Sequence, residues 1–306
     1  MIEKIHPLIT DIPEQLLTAA RHKKLVPFIG AGVSQLSGCP GWSAFADASL
    51  AFFVDKGKLS YEVFNQISSL SSRVKLSVAL DLQRRHSLPI DFNSILATQS
   101  GKEITGARAY AILSKMASVF VTTNYDNLLE ARSERIFKKN EISVEKLELD
   151  NAVIHIHGSI KEPSEMVLTT RDYLERYASH QIDGDNRENP FLTFLQILFK
   201  TRSVLFVGYG LGELEILEYV FQKGVDKPKE NEEPRHFVLQ GFFSHELELA
   251  KNLDLYYQSF GVKLLPYSRD ENDWEQLVHV LESLVLALPK GRNLMSPKIA
   301  EMKDFL

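Results

Sequence analysis

The residues with the clearest chemical potential form a glycine-rich turn directly after a short apolar segment. Residues 25–29 read Leu-Val-Pro-Phe-Ile and residues 30–34 read Gly-Ala-Gly-Val-Ser. Gly30 and Gly32 permit backbone angles and a close ligand approach that a Cβ would prevent. A helix beginning near Ser34 would direct its positive end at an anion such as a pyrophosphate. The pattern predicts either a dinucleotide-binding α/β unit or a structural turn, since Gln35 replaces the third glycine of the full fingerprint.

Three further predicted strands end in polar residues or glycines. These positions are Thr123, Asn124, Asp126, His157, Gly208, Tyr209, Gly210 and Glu213. Ligands of parallel α/β sheets bind beyond the carboxyl ends of the strands. The spacing therefore predicts one site built from several strand ends.

Short apolar segments alternate with segments of helical periodicity, and this alternation predicts the fold. Strands are expected at residues 25–29, 119–123, 153–157, 203–208, 236–239 and 262–266, and helices at 13–24, 189–200, 213–222, 245–259 and 274–288. This order is typical of an α/β protein with a doubly wound, Rossmann-like parallel sheet that has helices on both faces.

The sequence between the first two strands lacks strand patterns and predicts a helical insertion at about residues 43–104. Residues 183–190 and 226–234 are rich in charge, glycine or proline and are expected to be exposed loops. We expect one domain over residues 1–290 and a C-terminal tail or assembly segment over 291–306.

Composition limits the classes of function. The chain has 306 residues and a net charge of −5, which argues against a strongly basic nucleic-acid-binding surface. Its single cysteine, Cys39, excludes an intramolecular disulfide and a multi-cysteine zinc site. Since neither a secretory leader nor a membrane span is visible, we expect a cytoplasmic protein with no membrane partner.

The motifs, taken in order, resemble the sirtuin (silent-information-regulator) family over roughly residues 25 to 215. That family carries Gly-Ala-Gly-x-Ser, Asn-x-Asp and His-Gly in this order, as this chain does at 30–34, 124–126 and 157–158. The resemblance implies binding of NAD, with its phosphates held by Gly30, Ala31, Gly32 and Ser34.

The same resemblance implies roles for the later motifs. Asn124, after Thr123, would hold the nicotinamide-ribose end, Asp126 would order that pocket, and His157 would be the base. The adenosine side would be enclosed by the loop containing Gly208, Tyr209, Gly210 and Glu213.

Two departures from sirtuin protein deacylases indicate a particular branch. One cysteine cannot form the family's four-cysteine zinc module, and residues 41–43 read Gly-Trp-Ser where deacylases commonly have Asp-Phe-Arg. In both features the chain resembles the bacterial sirtuin-like proteins that hydrolyse NAD in antiphage defence. The resemblance implies a homo-oligomer and a separately encoded partner, either a HerA-type ATPase or an Argonaute-like protein.

The residue types suit cleavage of the nicotinamide–ribose bond, which develops positive charge at the anomeric carbon. Asn124 can orient water or the carboxamide, Asp126 can favour the developing cation, and His157 can accept a proton. We therefore expect an NAD glycohydrolase that uses NAD as substrate and no metal. A non-catalytic NAD or ADP-ribose sensor and an NAD-dependent deacylase are the alternatives.

Simpler interpretations remain open for single motifs. Thr122, Thr123, Asn124 and Asp126 could also be an N-cap cluster for a helix at residues 127–130. His155 and His157 should face the same side of a strand, where both could bind a metal. Gly208 and its neighbours would also permit close packing. Cys39 is expected to be inert, and the insertion's aromatic residues, Trp42, Phe45, Phe52 and Phe53, are expected to form its core.

Overall fold

The strand Leu25–Ile29 (β1) lies in the middle of a seven-stranded sheet, and all five of its residues are buried. The structure is a computed structural model that describes residues 2–133, 135–177, 180–182, 185–187, 189–209 and 233–289. β1 pairs in parallel with one neighbour on each side, through Phe28 and Ile29 on one edge and through its whole length on the other.

The other strands extend the sheet from β1 in both directions. They are β2 (Val119–Thr122), β3 (Arg135–Phe137), β4 (Ala152–His155), β7 (Ser203–Val207), β8 (His236–Phe242) and β9 (Val262–Ser268). The spatial order is β3-β4-β2-β1-β7-β8-β9, and every pairing in this sheet is parallel. A separate antiparallel hairpin consists of β5 (His180–Ile182) and β6 (Asp185–Arg187).

The chain reverses the direction of sheet growth at β1. It first adds β2, β3 and β4 on one side and then returns to place β7 on the opposite side of β1. Such a reversal opens a crevice beyond the carboxyl ends of the strands, where ligands of doubly wound sheets bind. The predicted doubly wound parallel sheet is confirmed.

Alternation along β1 divides the core into two layers. Val26 and Phe28 pack in one apolar cluster, whereas Leu25 and Ile29 pack in the other. The first cluster includes buried residues of the helices Pro190–Thr201 and Leu247–Gln258. The second includes residues of Glu14–Arg21, Glu103–Leu113 and Gln276–Ala287. A strand buried on both faces explains the unbroken apolar sequence of β1.

Four helices between β1 and β2 form the predicted helical insertion. Their bounds are Trp42–Asp55, Tyr61–Ser68, Ser72–His86 and Phe92–Ile95. They share an apolar core that includes Phe45 and Phe53, as expected, and Trp42 and Phe52 pack against it. Tyr125, which comes after β2, belongs to the same cluster, so the insertion packs next to the end of that strand.

Several elements differ from the sequence predictions. β3 and the helix Thr170–Tyr177 were not predicted, because the strand has three residues and the helix is mostly polar. Residues 185–187 form β6, so an exposed loop over all of 183–190 is wrong. The strand was not predicted because it is formed by hydrogen bonds between backbone groups, which a polar sequence can also make.

Some predictions fall on residues that the structure does not describe. The helix at 213–222, most of the loop at 226–234 and the tail at 291–306 lie outside the described ranges. Within those ranges, no helix combines the length and apolarity needed to cross a membrane.

Candidate active site

A cavity opens beyond the carboxyl ends of β1, β2 and β4, and we call it the site cavity. Its empty space is about 700 Å³, part of which is open to solvent. Six of the predicted site residues line it: Ala31, Ser34, Thr123, Asn124, Asp126 and His157. The tertiary structure therefore brings together three strand ends that are up to 126 residues apart in the chain, counted from Ala31 to His157.

The glycine-rich turn is held by its own backbone. The helix here is Ala31–Gln35 and thus begins before Ser34, contrary to the prediction. The Gly30 N–H donates to the Val207 carbonyl at 2.9 Å, and the Gly32 N–H donates to the Gly208 carbonyl at 2.8 Å. These two N–H groups are used within the protein. The phosphate-binding role expected of Gly30, Ala31, Gly32 and Ser34 stays a prediction.

The glycines also allow β1 and β7 to approach closely at their ends. A Cβ on Gly32 would lie 2.8 Å from the Gly208 carbonyl oxygen, and a Cβ on Gly208 would lie 2.6 Å from the Val33 nitrogen. Gly208 also has a φ of +71°, which L side chains rarely adopt. The packing interpretation of Gly208 agrees with this geometry. Gly210 and Glu213 lie outside the described residues, so their predicted role is untested.

Ser34 is the centre of a buried polar network. Its hydroxyl donates to Asp126 Oδ2 at 2.6 Å and accepts from Asn124 Nδ2 at 2.8 Å. Tyr110, from the helix Glu103–Leu113, places its hydroxyl 2.8 Å from the same oxygen. Since the single Ser34 proton goes to Asp126, Tyr110 is the donor in that contact. One serine thus fixes residues from two other elements.

The Asn124 side chain has a fixed orientation. In addition to Ser34, its Nδ2 donates to the Gly30 carbonyl at 3.1 Å, and its backbone N–H donates to Thr122 Oγ1. Because Nδ2 already serves two protein acceptors, Oδ1 is the atom through which Asn124 can accept a bond from water. We expected both the donor and the acceptor atom of the Asn124 side chain to act on the ligand or water, and the structure leaves only the acceptor, Oδ1, for this.

The Asp126 carboxylate is nearly inaccessible to solvent and has two donors. Besides Ser34, the Leu128 N–H donates to its Oδ1 at 3.1 Å. Burial raises the pKa of Asp126 above its ordinary value, although these hydrogen bonds and nearby His155 oppose the shift. The bond to Leu128 is the turn contact expected of a cap, but the chain continues into a turn and the 3-10 helix Glu130–Arg132, not into a helix over 127–130.

His157 lies just beyond the end of β4 and is buried against two tyrosines. Its Nε2 lies 2.9 Å from the Tyr177 hydroxyl, and its Nδ1 lies 3.5 Å from that of Tyr173. Burial lowers the pKa of His157 to about 3, assisted by the positive charges of Arg176 and Arg73. The imidazole is therefore neutral at physiological pH, which is the state that can accept a proton.

His155 has different surroundings from His157. Its Nδ1 lies 3.0 Å from the Asn124 carbonyl, and its Nε2 lies 3.4 Å from Glu130 Oε1. Lys161 bonds the other oxygen of Glu130. Burial lowers the pKa of His155. The expectation that both histidines lie on one strand is wrong, because β4 ends at His155 and His157 lies in the turn that follows.

Thr123 and Tyr209, which were also predicted to belong to the site, connect the end of β2 to the end of β7. Thr123 Oγ1 lies 3.0 Å from the Tyr209 hydroxyl, and the Tyr209 ring packs edge-on against Phe28 and Phe206. Tyr209 is largely buried. Its position beside Thr123 connects the site cavity to the region beyond β7.

The helical insertion supplies the opposite wall of the site cavity. Trp42 and Phe45 line it together with Arg73, and the two aromatic rings lie 6.0 Å apart. These aromatic residues were expected to belong only to the insertion core, but they also face the cavity. Burial raises the pKa of the Cys39 thiol to about 12, which agrees with the expectation that this cysteine is inert.

Sequence reasoning missed four residues of this site: Tyr110, Tyr173, Tyr177 and Arg73. The spacing of Tyr173 and Tyr177 places both on one helix face, which is the single sequence signal that could have paired them. In the described part of the chain, no group of three or more His, Cys, Asp or Glu side chains could hold a metal ion.

Known proteins are similar to this chain in sequence. The sequence model of the SIR2-like domain matches residues 118–265, which include Asn124, His157 and Gly208. Defense-associated sirtuin 2 of Bacillus subtilis is 22% identical over 311 residues, covering 97% of this chain and 29% of that protein.

Two other relatives carry the name NAD(+) hydrolase ThsA. The Bacillus cereus protein is 21% identical, and the match covers 77% of this chain and 47% of that protein. The Enterococcus faecium protein is 26% identical, and the match covers 48% of this chain and 31% of that protein. This chain thus spans less than half the length of these relatives.

Among solved structures, a SIR2 homologue in complex with NAD aligns with 93% of this chain and 100% of its own, at 13% identity and a TM-score of 0.37. The motif order at the strand ends and the match to the SIR2-like domain agree with each other. The chain is thus similar to SIR2-like, or sirtuin-like, proteins, and residues 118–265 match the SIR2-like domain.

Proposed function

We propose that this chain hydrolyses NAD to nicotinamide and ADP-ribose as an effector of bacterial antiphage defence. The observation that carries the proposal is that the Asn124 carboxamide and the His157 imidazole line one cavity beyond the carboxyl edge of the sheet. The names of the relatives, NAD(+) hydrolase and defense-associated sirtuin, support the substrate and the setting.

His157 would accept the proton released when water attacks the anomeric carbon. Its two ring nitrogens differ, because Tyr173 lines the site cavity whereas Tyr177 anchors Nε2 from behind. We assign Nδ1, which has the longer contact, as the base. The ring proton then lies on Nε2 and is donated to the Tyr177 oxygen.

Asn124 and Asp126 would act on the attacking water and on the developing charge. Asn124 Oδ1 can accept a hydrogen bond from water, since Nδ2 is held by Ser34 and Gly30. Asp126, when ionised, places a negative charge beside the cavity, and a buried charge favours an oxocarbenium-like transition state more strongly than an exposed one. Nicotinamide leaves as a neutral molecule, so no acid is required for its departure.

The test measures nicotinamide release from NAD by the purified full chain. Asn124→Ala and His157→Ala should each lower kcat by about 10²- to 10⁴-fold, the usual contribution of a positioned acid–base group. Asn65→Ala and His86→Ala change the same residue types at exposed positions of the insertion and should leave kcat unchanged.

Other results would redirect the proposal. Binding of NAD without release of nicotinamide, in the chain and in its assemblies, would indicate a sensor. If nicotinamide is released only in the presence of an acylated peptide, and one peptide is deacylated for each NAD consumed, the chain would be a deacylase. Full activity in both site variants would remove Asn124 and His157 from the catalytic assignment.

We also propose that assembly gates the activity, because an uncontrolled NAD hydrolase would deplete the cell that makes it. The assembly would be a homo-oligomer, alone or with a separately encoded HerA-type ATPase or Argonaute-like protein. Mass measurement in solution should show an oligomer whose formation increases nicotinamide release. A monomer of full activity would contradict this gating.

A further inference from the structure

Two chain segments meet beside the site cavity: residues 124–130, after β2, and residues 155–161, which begin with the last residue of β4. Two hydrogen bonds of 2.9 Å join them, from the Ile160 N–H to the Tyr125 carbonyl and from the Ser159 hydroxyl to Asn127 Oδ1. The first segment contains Asn124 and the second contains His157. Contacts between the segments therefore set the positions of the two proposed catalytic side chains relative to each other.

His155 is fully buried where these segments meet. Its Nδ1 lies 3.0 Å from the Asn124 carbonyl oxygen, and its Nε2 lies 3.4 Å from Glu130 Oε1. Lys161 bonds the second oxygen of Glu130. Neither His155 Nε2 nor Glu130 Oε1 has a hydrogen-bond partner elsewhere among the described residues. The hydrolysis proposed above gives no role to this buried group of charges.

The contact with Asn124 fixes where His155 carries a hydrogen. A carbonyl oxygen has no hydrogen to donate, so the hydrogen in the 3.0 Å contact belongs to Nδ1. Nε2 then faces a carboxylate oxygen that is itself an acceptor. One further hydrogen, on Nε2 or on Oε1, satisfies these two buried atoms, which would be costly to leave unpaired. Glu130 thus holds the ring from the side opposite Asn124.

The Asn124 carbonyl needs a side-chain donor because it lies beyond Thr122, the last residue of β2, where the hydrogen bonds of that strand end. The Asn124 N–H donates to Thr122, and its Nδ2 donates to Gly30 and Ser34. The bond from His155 therefore fixes the peptide group that follows the Asn124 side chain. Loss of this bond would let that peptide rotate and would displace Oδ1.

We propose that His155 is a positioning residue of the hydrolase, which, through a hydrogen on Nδ1 and with Glu130 behind it, fixes the backbone of Asn124 and directs Asn124 Oδ1 at the attacking water. This rests on the proposed function for the identity of the reaction. His155 acts through Asn124 and does not contact the substrate, since its side chain is fully buried.

Two substitutions separate the roles of the two ring nitrogens. In His155→Asn the side-chain amide can occupy the place of Nδ1 and still donate to the Asn124 carbonyl, whereas in His155→Gln it reaches toward Glu130 in the place of Nε2. His155→Gln should lower kcat for nicotinamide release by about 10- to 100-fold, the effect of a misplaced catalytic group. His155→Asn should lower kcat by less than about threefold. KM for NAD should stay within about twofold of the wild type in both variants, since the lost orientation acts on the attacking water.

NMR tests the bond without turnover. In the full chain labelled with ¹⁵N at histidine, the His155 signals, assigned by their loss in either His155 variant, should show a hydrogen on Nδ1 at neutral pH. In protein labelled at asparagine, the Asn124 side-chain amide signals, assigned by their loss in Asn124→Ala, should shift in His155→Gln. They should stay near their wild-type positions in His155→Asn.

His236→Gln is the matched control for the loss of a buried histidine. His236 is the first residue of β8, at the edge of the sheet opposite the site cavity, and its Nδ1 accepts from the Val204 N–H at 3.2 Å. This variant should lower the free energy of unfolding, as the His155 variants do. It should leave kcat and the Asn124 amide signals unchanged.

The outcomes distinguish this inference from the proposed function. Absence of the hydrogen from Nδ1, equal losses of kcat in the two His155 variants, or a loss in His236→Gln as large as in His155→Gln would overturn the positioning role. If the chain releases no nicotinamide, the hydrolase is rejected. A hydrogen on Nδ1 together with Asn124 signals that shift in His155→Gln alone would still support the role of His155 in orienting Asn124.

Discussion

The two sides of the site cavity are held in different ways. On one side, Asn124 and Asp126 are fixed by Ser34, which bonds both of them and Tyr110 as well. On the other side, the His157 ring nitrogens face two tyrosine hydroxyls that belong to a single helix. The first side joins three elements of the fold, and the second joins one strand end to one helix.

The difference matches the chemistry proposed for each side. A group that orients water must hold its direction, and a network that leaves Asn124 Oδ1 alone for that purpose achieves this. A base must accept a proton, and His157 is neutral and flanked by two hydroxyl groups, although the same burial disfavours its protonated form. The electrostatics also differ, since burial raises the pKa of Asp126 and lowers that of His157.

The largest effect is expected from Ser34→Ala. The change leaves Asp126 Oδ2, Asn124 Nδ2 and the Tyr110 hydroxyl without their shared partner in a buried site, so the free energy of unfolding should fall by about 1–3 kcal/mol. We also expect kcat to fall, because Asn124 loses its orientation. Chemical denaturation and nicotinamide release measure the two effects.

Ser49→Ala is the control for that experiment. Ser49 is fully buried too, but its hydroxyl bonds only the Phe45 carbonyl of its own helix, at 2.8 Å. Ser49→Ala should lower the free energy of unfolding by less than Ser34→Ala does, and it should not alter kcat. Equal losses in the two variants would mean that Ser34 does not organise this side of the cavity.

A smaller effect is expected from Tyr177→Phe. The substitution keeps the ring and removes the hydroxyl 2.9 Å from His157 Nε2. The free energy of unfolding should fall by about 1 kcal/mol, and kcat should fall by about tenfold or less because the imidazole loses its anchor. Tyr257→Phe removes a hydroxyl bonded to Gln240 at 2.9 Å and serves as the matched control. If Tyr177→Phe left kcat at the wild-type value, Nε2 would not need this anchor.

The smallest effect is expected from pH. Because the pKa of His157 is about 3, its ring should stay neutral from pH 8 to pH 5. Its NMR chemical shift, assigned by its loss in His157→Gln, should therefore stay constant, while the histidine of a short reference peptide in the same sample titrates at about 6.5. A His157 titration near that value would show that the ring is more open to solvent than the structure indicates.

The same pKa predicts how stability responds to acid. A histidine whose pKa is lowered on folding contributes stability above its unfolded value of 6.5, and this is lost as the pH falls toward about 3. The contribution of Asp126 to stability changes with pH in the opposite direction. Because its carboxyl pKa is raised on folding, Asp126 adds stability at acid pH, and this stability is lost as the pH rises. His157→Gln should therefore flatten the decline in the free energy of unfolding below pH 6.5, whereas a parallel decline would contradict the assignment.

Much of the fold could be predicted from patterns of sequence. β1 was predicted with its full bounds, and the helical insertion was predicted because apolar residues there recur at helical spacing. β3 and the helix Thr170–Tyr177 were missed, because three residues carry too little periodicity and a polar helix shows no apolar stripe. The missed helix supplies both tyrosines beside His157.

The sequence by itself determined the order of the motifs, the strands that end in them and the doubly wound sheet. The tertiary structure alone decided which partners these residues have. It committed the Gly30 and Gly32 N–H groups to β7 and its end, placed His155 and His157 against different partners, and brought Arg73 from the insertion to the wall of the site cavity. The reason is physical, because periodicity depends on neighbours in the chain, whereas hydrogen-bond partners and burial depend on groups that are distant in sequence.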